Sequence, residues 1–139
     1  MTLLSRRVVT SKSYDAVSRI IKGCAYRFSK SRFSEDGFSM HCAKRYNGGV
    51  ISTIPVKGSI EQRGNVVQVT LMIQANIGFC LCCLILLLGI IDLLICLFAC
   101  SPNWISGVGI ILFGIFLCGQ YVWEGKDILD RLEHRIMIG

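Results

Sequence analysis

Two long apolar stretches in the second half of the chain predict two helices. The first covers residues 77–99 and contains one charged residue, Asp92, whereas the second covers residues 104–123 and contains none. Since an α-helix rises about 1.5 Å per residue, about 20 apolar residues cross the hydrocarbon core of a bilayer. Pro102 lies between the stretches and ends the first helix. The pattern therefore predicts a transmembrane helical hairpin over residues 77–123.

Shorter periodic patterns over residues 1–76 predict an α+β head. Apolar residues recur every three or four positions from Val17 to Phe28, and Ser13 can cap a helix that begins at Tyr14. The period then becomes two, as in β-strands, over residues 38–45, 50–61 and 66–73. Pro55 in the second of these stretches favours an edge strand or a bulge. We expect an N-terminal helix followed by a small antiparallel sheet of about three strands.

The last stretch, residues 124–139, predicts a short C-terminal amphipathic helix. Its apolar positions share one helix face and are Ile128, Leu129, Leu132 and Ile136. Asp127 and Arg131 are four residues apart, a spacing that supports a helix. We expect this helix to cover the sheet or to lie at the membrane interface, which makes the fold class an α+β membrane protein.

Charge is concentrated in the head. The chain has a net charge of +6, and residues 1–76 alone carry +8, with 12 of the 15 Lys and Arg residues. An anionic leaflet attracts such residues by about 1 kcal/mol each, so membrane lipids are the expected partner. The candidates for contact with the membrane surface are Arg19, Lys22, Arg27, Lys30 and Arg32.

Aromatic residues interleave with these cations at Tyr26, Phe28, Phe33 and Phe38. Such a composition is typical of a platform on which nucleic-acid bases stack. A head of this size also needs its aromatic residues for a core. Nucleic acid is therefore disfavoured as a partner.

The distribution of Lys and Arg also predicts the orientation of the hairpin. The segment that joins the two spans has none, whereas Lys126, Arg131 and Arg135 follow the second span and Arg63 precedes the first. Because cytoplasmic segments are enriched in Lys and Arg, we expect a multi-pass protein of the cell membrane with both termini in the cytoplasm. Cytoplasmic thiols stay reduced, so we interpret the cysteines as small apolar residues.

Small residues recur at seven-residue spacing in both spans. Cys82, Gly89 and Cys96 do so in the first span, and Gly107 and Gly114 in the second. Small side chains let helices approach closely in lipid, where packing drives their association. We expect these stripes to meet within the hairpin and to support a homo-oligomer.

Asp92 is the one charged residue within the two apolar stretches. A charge at the centre of a span costs about 2.5–3.5 kcal/mol on insertion scales. Folding the hairpin about Pro102 places Asp92 opposite residues 111–114, where there is no basic residue. The carboxyl group would then be protonated, bonded to backbone, hydrated or paired with another subunit. We expect it to fix helix packing or an oligomer, with an ion pathway or a shallow, hydrated site without a role as the alternatives.

Recognisable catalytic motifs are missing from the sequence. It has no P-loop, no GxGxxG, no GxSxG and no HExxH, and its two histidines, His41 and His134, are far apart. We therefore expect no enzymatic activity, no cofactor and no metal site.

The sequence ISTIPVKGSIEQRGNVVQVTLMI contains a Pro-Val-x-Gly-x-Ile motif and a glycine turn before the first span. Together with the basic head and the two-span hairpin, it resembles small bacterial inner-membrane proteins of unknown function. The resemblance covers residues 33–123 and implies the same architecture and an inner-membrane location. It implies no activity.

The sequence thus predicts a non-enzymatic integral membrane protein. The leading interpretation is an anchored interaction or scaffold module that self-associates and binds an unidentified protein or lipid. The alternative is a small oligomeric pore or ion pathway that uses Asp92.

Cysteine-accessibility labelling tests the expected topology, in a variant whose own cysteines are replaced. A cysteine introduced as Asn103→Cys should react with a membrane-impermeant maleimide in intact cells. One introduced as Gly139→Cys should react only after permeabilisation. Labelling of the tail in intact cells would contradict the topology.

Overall fold

The structure, a computed structural model, describes residues 1–25, 30–35, 37–46, 49–99 and 102–139. Within these ranges the strands are β1 (Thr2–Thr10), β2 (Lys30–Phe33), β3 (Gly37–Tyr46), β4 (Gly49–Arg63) and β5 (Val66–Gln74). The helices are α1 (Tyr14–Ala25), α2 (Ile77–Phe98) and α3 (Trp104–Ile138). The chain divides into two compact units, one of Met1–Asn76 with Gly125–Gly139 and one of Ile77–Glu124.

The strands form one antiparallel sheet in the order β1-β5-β4-β3-β2. The predicted α+β class is confirmed, but the expected sheet of about three strands is wrong, because β1 and β2 add two. Arg6 occupies an inward position of β1 and hides the alternation of apolar and polar residues there. β2 has only four residues, KSRF, and depends on pairing with β3.

One face of the sheet is covered by α1 and by the last part of α3. Val17 and Ile21 of α1 are fully buried, and so is Ile136 of α3. The cap predicted for α1 is confirmed, because the Ser13 hydroxyl accepts a hydrogen bond from the Ala16 N–H at 3.3 Å. Phe28, which was expected on the same helix face, lies outside the described residues. We call the opposite side of the sheet the open face.

The expected separate C-terminal helix is wrong, because the tail continues α3 without a break. α3 has 35 residues, which correspond to about 52 Å. No proline or turn interrupts it between Trp123 and the amphipathic segment. Gly125 sits where the helix packs on β5, since a Cβ added there would lie 3.3 Å from the Ile73 side chain. The tail therefore covers the sheet, one of the two placements expected for it.

Pro55 lies in the middle strand of the sheet, not in an edge strand. Its pairing partner in β3 is His41, whereas the ladder with β5 begins one residue later, at Val56 and Ile73. Proline has no N–H to donate. Because Pro55 lies just outside the ladder with β5, its missing N–H removes no hydrogen bond from that ladder.

Two glycines shape the end of β4. Gly58 pairs with Phe38 in the neighbouring strand, and the Phe38 ring lies over it, where any side chain would collide. Gly64 has a φ of 61°, a value that L-residues with side chains rarely adopt. It opens the two-residue turn between Arg63 and Val66. This confirms the turn implied by the glycine before the last strand.

Two cations fasten the last part of α3, from Gly125 onward, to the sheet unit. The Arg6 guanidinium of β1 donates to Asp130 and, at 2.6 Å, to Glu133. The hydrogen bond that Arg6 donates to Glu133 is the main cause of the raised pKa of Arg6, and the charges of both carboxylates add to it. Lys12 donates to the carbonyl oxygens of Ile136 and Met137 at 2.9 and 3.1 Å, which satisfies free carbonyls at the helix end.

Replacement of Arg6 by methionine should lower the thermal stability of the full chain, because it removes the contact between β1 and α3. The matched control is Arg131→Met, since Arg131 pairs at 2.6 Å with Asp127 of its own helix, as the sequence predicts. A local surface pair of this kind contributes little. The melting temperature in detergent should therefore fall more for Arg6→Met than for Arg131→Met. Equal effects would show that the long-range pair does not hold α3.

Candidate functional site

The unit of α2 and α3 carries an apolar outer surface. Both helices are long and apolar enough to cross a membrane. In their most apolar 18-residue windows, only 6% of α2 and 17% of α3 is buried. The side chains that are about half exposed or more include Leu87, Leu94, Leu97, Leu112, Phe113 and Phe116. A helix from the core of a soluble protein would bury most of these.

Three of the predicted small residues lie where α2 and α3 touch. A Cβ added at Gly89 would lie 2.9 Å from the Ile111 side chain, and one at Gly114 would lie 2.7 Å from Leu86. A Cβ added at Gly107 would lie 2.9–3.0 Å from the backbone and Cβ of Leu93. The glycines therefore allow a contact that any larger residue would push apart.

The predicted cysteines lie near the same contact. Cys96 is buried and Cys82 is half-buried. At the other end of the hairpin, the rings of Phe79 and Tyr121 lie 5.2 Å apart. Side chains thus pack along the length of the hairpin.

Asp92 has a partner that the sequence did not reveal. The Ser106 hydroxyl lies 3.0 Å from Asp92 Oδ2 and 2.8 Å from the Asn103 carbonyl oxygen. A hydroxyl carries a single proton, so it donates to one of these oxygens at a time. The contact joins α2 to the first turns of α3.

The expected neighbours of Asp92 at residues 111–114 are wrong by about one helical turn. Ile111 lies beside Gly89, and Gly107 lies beside Leu93, next in sequence to Asp92. α2 ends at Phe98 and α3 begins at Trp104. That shift brings Ser106 within reach.

The basic residues predicted to contact a membrane surface are spread over α1 and β2. Arg19 and Arg32 are exposed. The Lys22 ammonium lies 5.8 Å from the centre of the Phe33 ring, within the range of a cation–π contact. Lys30 pairs with His41 in the β2–β3 ladder, and Arg27 lies outside the described residues.

Of the aromatic residues expected in a stacking platform, the two that the structure describes differ in exposure. Phe38 is 5% exposed, and the ring of Phe33 packs beside it, with 6.5 Å between the ring centres. Tyr26 and Phe28 lie outside the described residues. Phe38 thus belongs to the core, whereas Phe33 is 40% exposed.

The head has two notable concave regions. A cavity of about 710 Å³ is lined by Tyr14, Glu35 and residues 59–63, and contains the ion pair between Arg63 and Glu61 at 3.0 Å. A smaller cavity of about 300 Å³ is lined by Ser31, Arg32, Ser39 and His41. The first mixes both charges, whereas the second has one charged residue, a cation.

Among the residues that the structure describes, no three His, Cys, Asp or Glu side chains lie close enough together to hold a metal ion. Tyr14 in the larger cavity donates its hydroxyl to the Glu35 carbonyl oxygen.

Comparison with family models gave no match, and comparisons with curated proteins and with solved structures gave none either. Function is therefore argued from the geometry of this chain alone. The resemblance to bacterial inner-membrane proteins stays a prediction from the sequence.

Gly107 and Gly109 provide a matched pair for testing the hairpin contact. Gly107→Ala places a methyl group against the Leu93 backbone and should destabilise the hairpin by about 1–3 kcal/mol. Gly109→Ala meets no atom within 4 Å and should cause no loss, with a gain of up to about 1 kcal/mol. Unfolding in detergent micelles, followed by circular dichroism, measures both. Similar losses would show that the contact does not depend on Gly107.

Proposed function

We propose that this protein is a non-enzymatic, membrane-anchored interaction module. In this proposal α2 and the apolar part of α3 cross a cell membrane as a hairpin. The unit formed by residues 1–76 and 125–139 then works in the cytoplasm as a head that binds lipids or another protein. The observation that carries the proposal is the exposure of the large apolar side chains on both helices.

Lipid suits this surface for two reasons. Helices satisfy their backbone hydrogen bonds internally, as the absence of water in a bilayer requires. The contact between α2 and α3 is built on glycines, the kind of contact that holds helices together where apolar surfaces have no tendency to associate. Asp92, the single charged residue of the span, is half-buried and has a hydroxyl partner.

The proposed orientation rests on the distribution of cations. Pro102 and Asn103 form the described part of the turn between the helices, and the whole joining segment has no Lys or Arg. Lys126, Arg131 and Arg135 all follow the apolar part of α3. Both termini are therefore assigned to the cytoplasm.

Self-association is a separate part of the proposal, and it needs a different surface from the one first expected. Gly89, Gly107 and Gly114 are used inside one hairpin, so they are closed to a second copy. Gly109 and Gly119 have no atom within 4 Å of the position of an added Cβ. A second copy that packs closely on α3 would use these two glycines.

Membrane extraction tests the anchor. The full chain should stay with the membrane fraction after an alkaline carbonate wash and dissolve only with detergent. Leu87→Lys, on the outer surface of α2, should impair insertion, since a charge near the span centre costs about 2.5–3.5 kcal/mol. Val9→Lys, an exposed position of the head, is the matched control and should insert normally. A chain that is soluble and monodisperse without detergent would end the proposal.

Crosslinking in native membranes tests self-association independently of the anchor. A dimer that is lost in Gly109→Leu and Gly119→Leu, with both variants still inserted, would support a second copy on α3. Monomer alone would remove self-association and leave the anchored head.

The alternative function is an ion pathway that uses Asp92. The bond from Ser106 gives this carboxyl group a place in the packing of the hairpin, which favours the anchor. Ion flux through liposomes that falls in Asp92→Asn would support the pathway. An absence of flux, or flux equal to that of the unchanged protein, would rule it out.

A further inference from the structure

The cations on the two sides of the sheet have different surroundings. On the covered face, Arg6 binds two carboxylates, Lys12 binds carbonyl oxygens at the end of α3, and Lys22 lies over the Phe33 ring. On the open face, Arg32 and Lys57 are exposed, and neither forms an ion pair with any residue that the structure describes. The fold of the described part of the chain thus leaves these two charges available.

The strand register brings these two cations to the same place. Arg32 of β2 pairs directly with Ser39 of β3, and Ser39 pairs on its other side with Lys57 of β4. Residues directly opposite in a sheet point to the same face. All three therefore stand in one row on the open face, with about 10 Å between the outer two strands. Ser39 lies between the two positive charges.

The cavity of about 300 Å³ opens beside this row. Arg32 and Ser39 line it together with Ser31 and His41. Its volume lies at the lower end of the range of about 300–1,000 Å³ for small-molecule sites. His41 is the next residue of β3 on the same face, two positions after Ser39.

The chemical groups in this row determine which kind of ligand it can bind. A guanidinium and an ammonium donate hydrogen bonds and accept none, and a serine hydroxyl can add a third donor. Such a set matches a group with several negative oxygens, and arginine in particular binds phosphate through two parallel hydrogen bonds. Among the residues that the structure describes, no acidic side chain lies in this row. Glu61 is two rows away and is paired with Arg63.

We propose that Arg32, Ser39 and Lys57 form a binding site for a phosphate group on the open face of the sheet, beside the cavity that His41 also lines. The phosphate group belongs to a small soluble molecule or to a phospholipid headgroup, because both present the same oxygens. The site lies within the head and does not require that α2 and α3 cross a membrane.

The test uses the full chain at constant ionic strength. In the first arm the protein is in maltoside micelles, which carry no phosphate, and inorganic phosphate is titrated by calorimetry. In the second arm the protein is in nanodiscs of phosphatidylglycerol, and native mass spectrometry counts the anionic lipids that it retains. Binding in the first arm identifies a soluble phosphate, whereas binding in the second arm alone identifies a headgroup.

Arg32→Gln and Lys57→Gln should each weaken binding by about tenfold or more, the effect of losing one hydrogen bond to a charged group. Ser39→Ala should weaken it less. Arg131→Gln removes the same charge from a surface of α3 and is the matched control, with an expected change of less than about twofold. Lys57→Arg should keep the site, and circular dichroism checks that each variant is folded.

Two results would overturn the proposal. One is the absence of binding in both arms. The other is an equal loss in Arg131→Gln and in the two site variants, which would show a general effect of charge. Neither result bears on the membrane anchor, which the extraction experiment tests separately.

Discussion

The structure depends on one constraint, which is that the outer surface of α2 and α3 must be covered by something other than this chain. Burial of apolar surface contributes about 25 cal/mol per Å², and these helices leave most of their leucine, isoleucine and phenylalanine side chains exposed. A bilayer meets the constraint without a protein partner. The glycine contact and the bond from Ser106 to Asp92 then become the interactions that hold the hairpin together.

The head, formed by residues 1–76 and 125–139, places its cations in different surroundings. Its large positive charge is not uniformly available to a partner, because Arg6 and Lys12 are committed to fastening α3. Among the residues that the structure describes, Arg32 and Lys57 on the open face and Arg19 on α1 remain exposed. Net charge therefore overstates the attraction of the head to an anionic surface, and the position of each cation decides its role.

Local patterns explain which parts of the fold the sequence could predict. α1 and the last three strands each show a period that a short window reveals, and the apolar helices appear as long apolar runs. β1 was not predicted because Arg6 interrupts its alternation of apolar and polar residues. β2 was not predicted because its four mainly polar residues show no period. The partner of Asp92 and the row through Ser39 depend on helix and strand register. Register is set by turns and tertiary contacts, which no short window contains.

The head is built from two segments that are far apart in the chain, and this affects the order in which it forms during synthesis. The segment Gly125–Gly139 belongs to the same unit as Met1–Asn76, although the whole hairpin separates them in the chain. A ribosome adding 5–20 residues per second needs about 3–13 s to go from Asn76 to the last residue. During that interval the sheet lacks the part of α3 that packs beside Ile73. Synthesis of α2 and of the first part of α3 therefore precedes completion of this unit, and the covered face of its sheet stays partly open for those seconds.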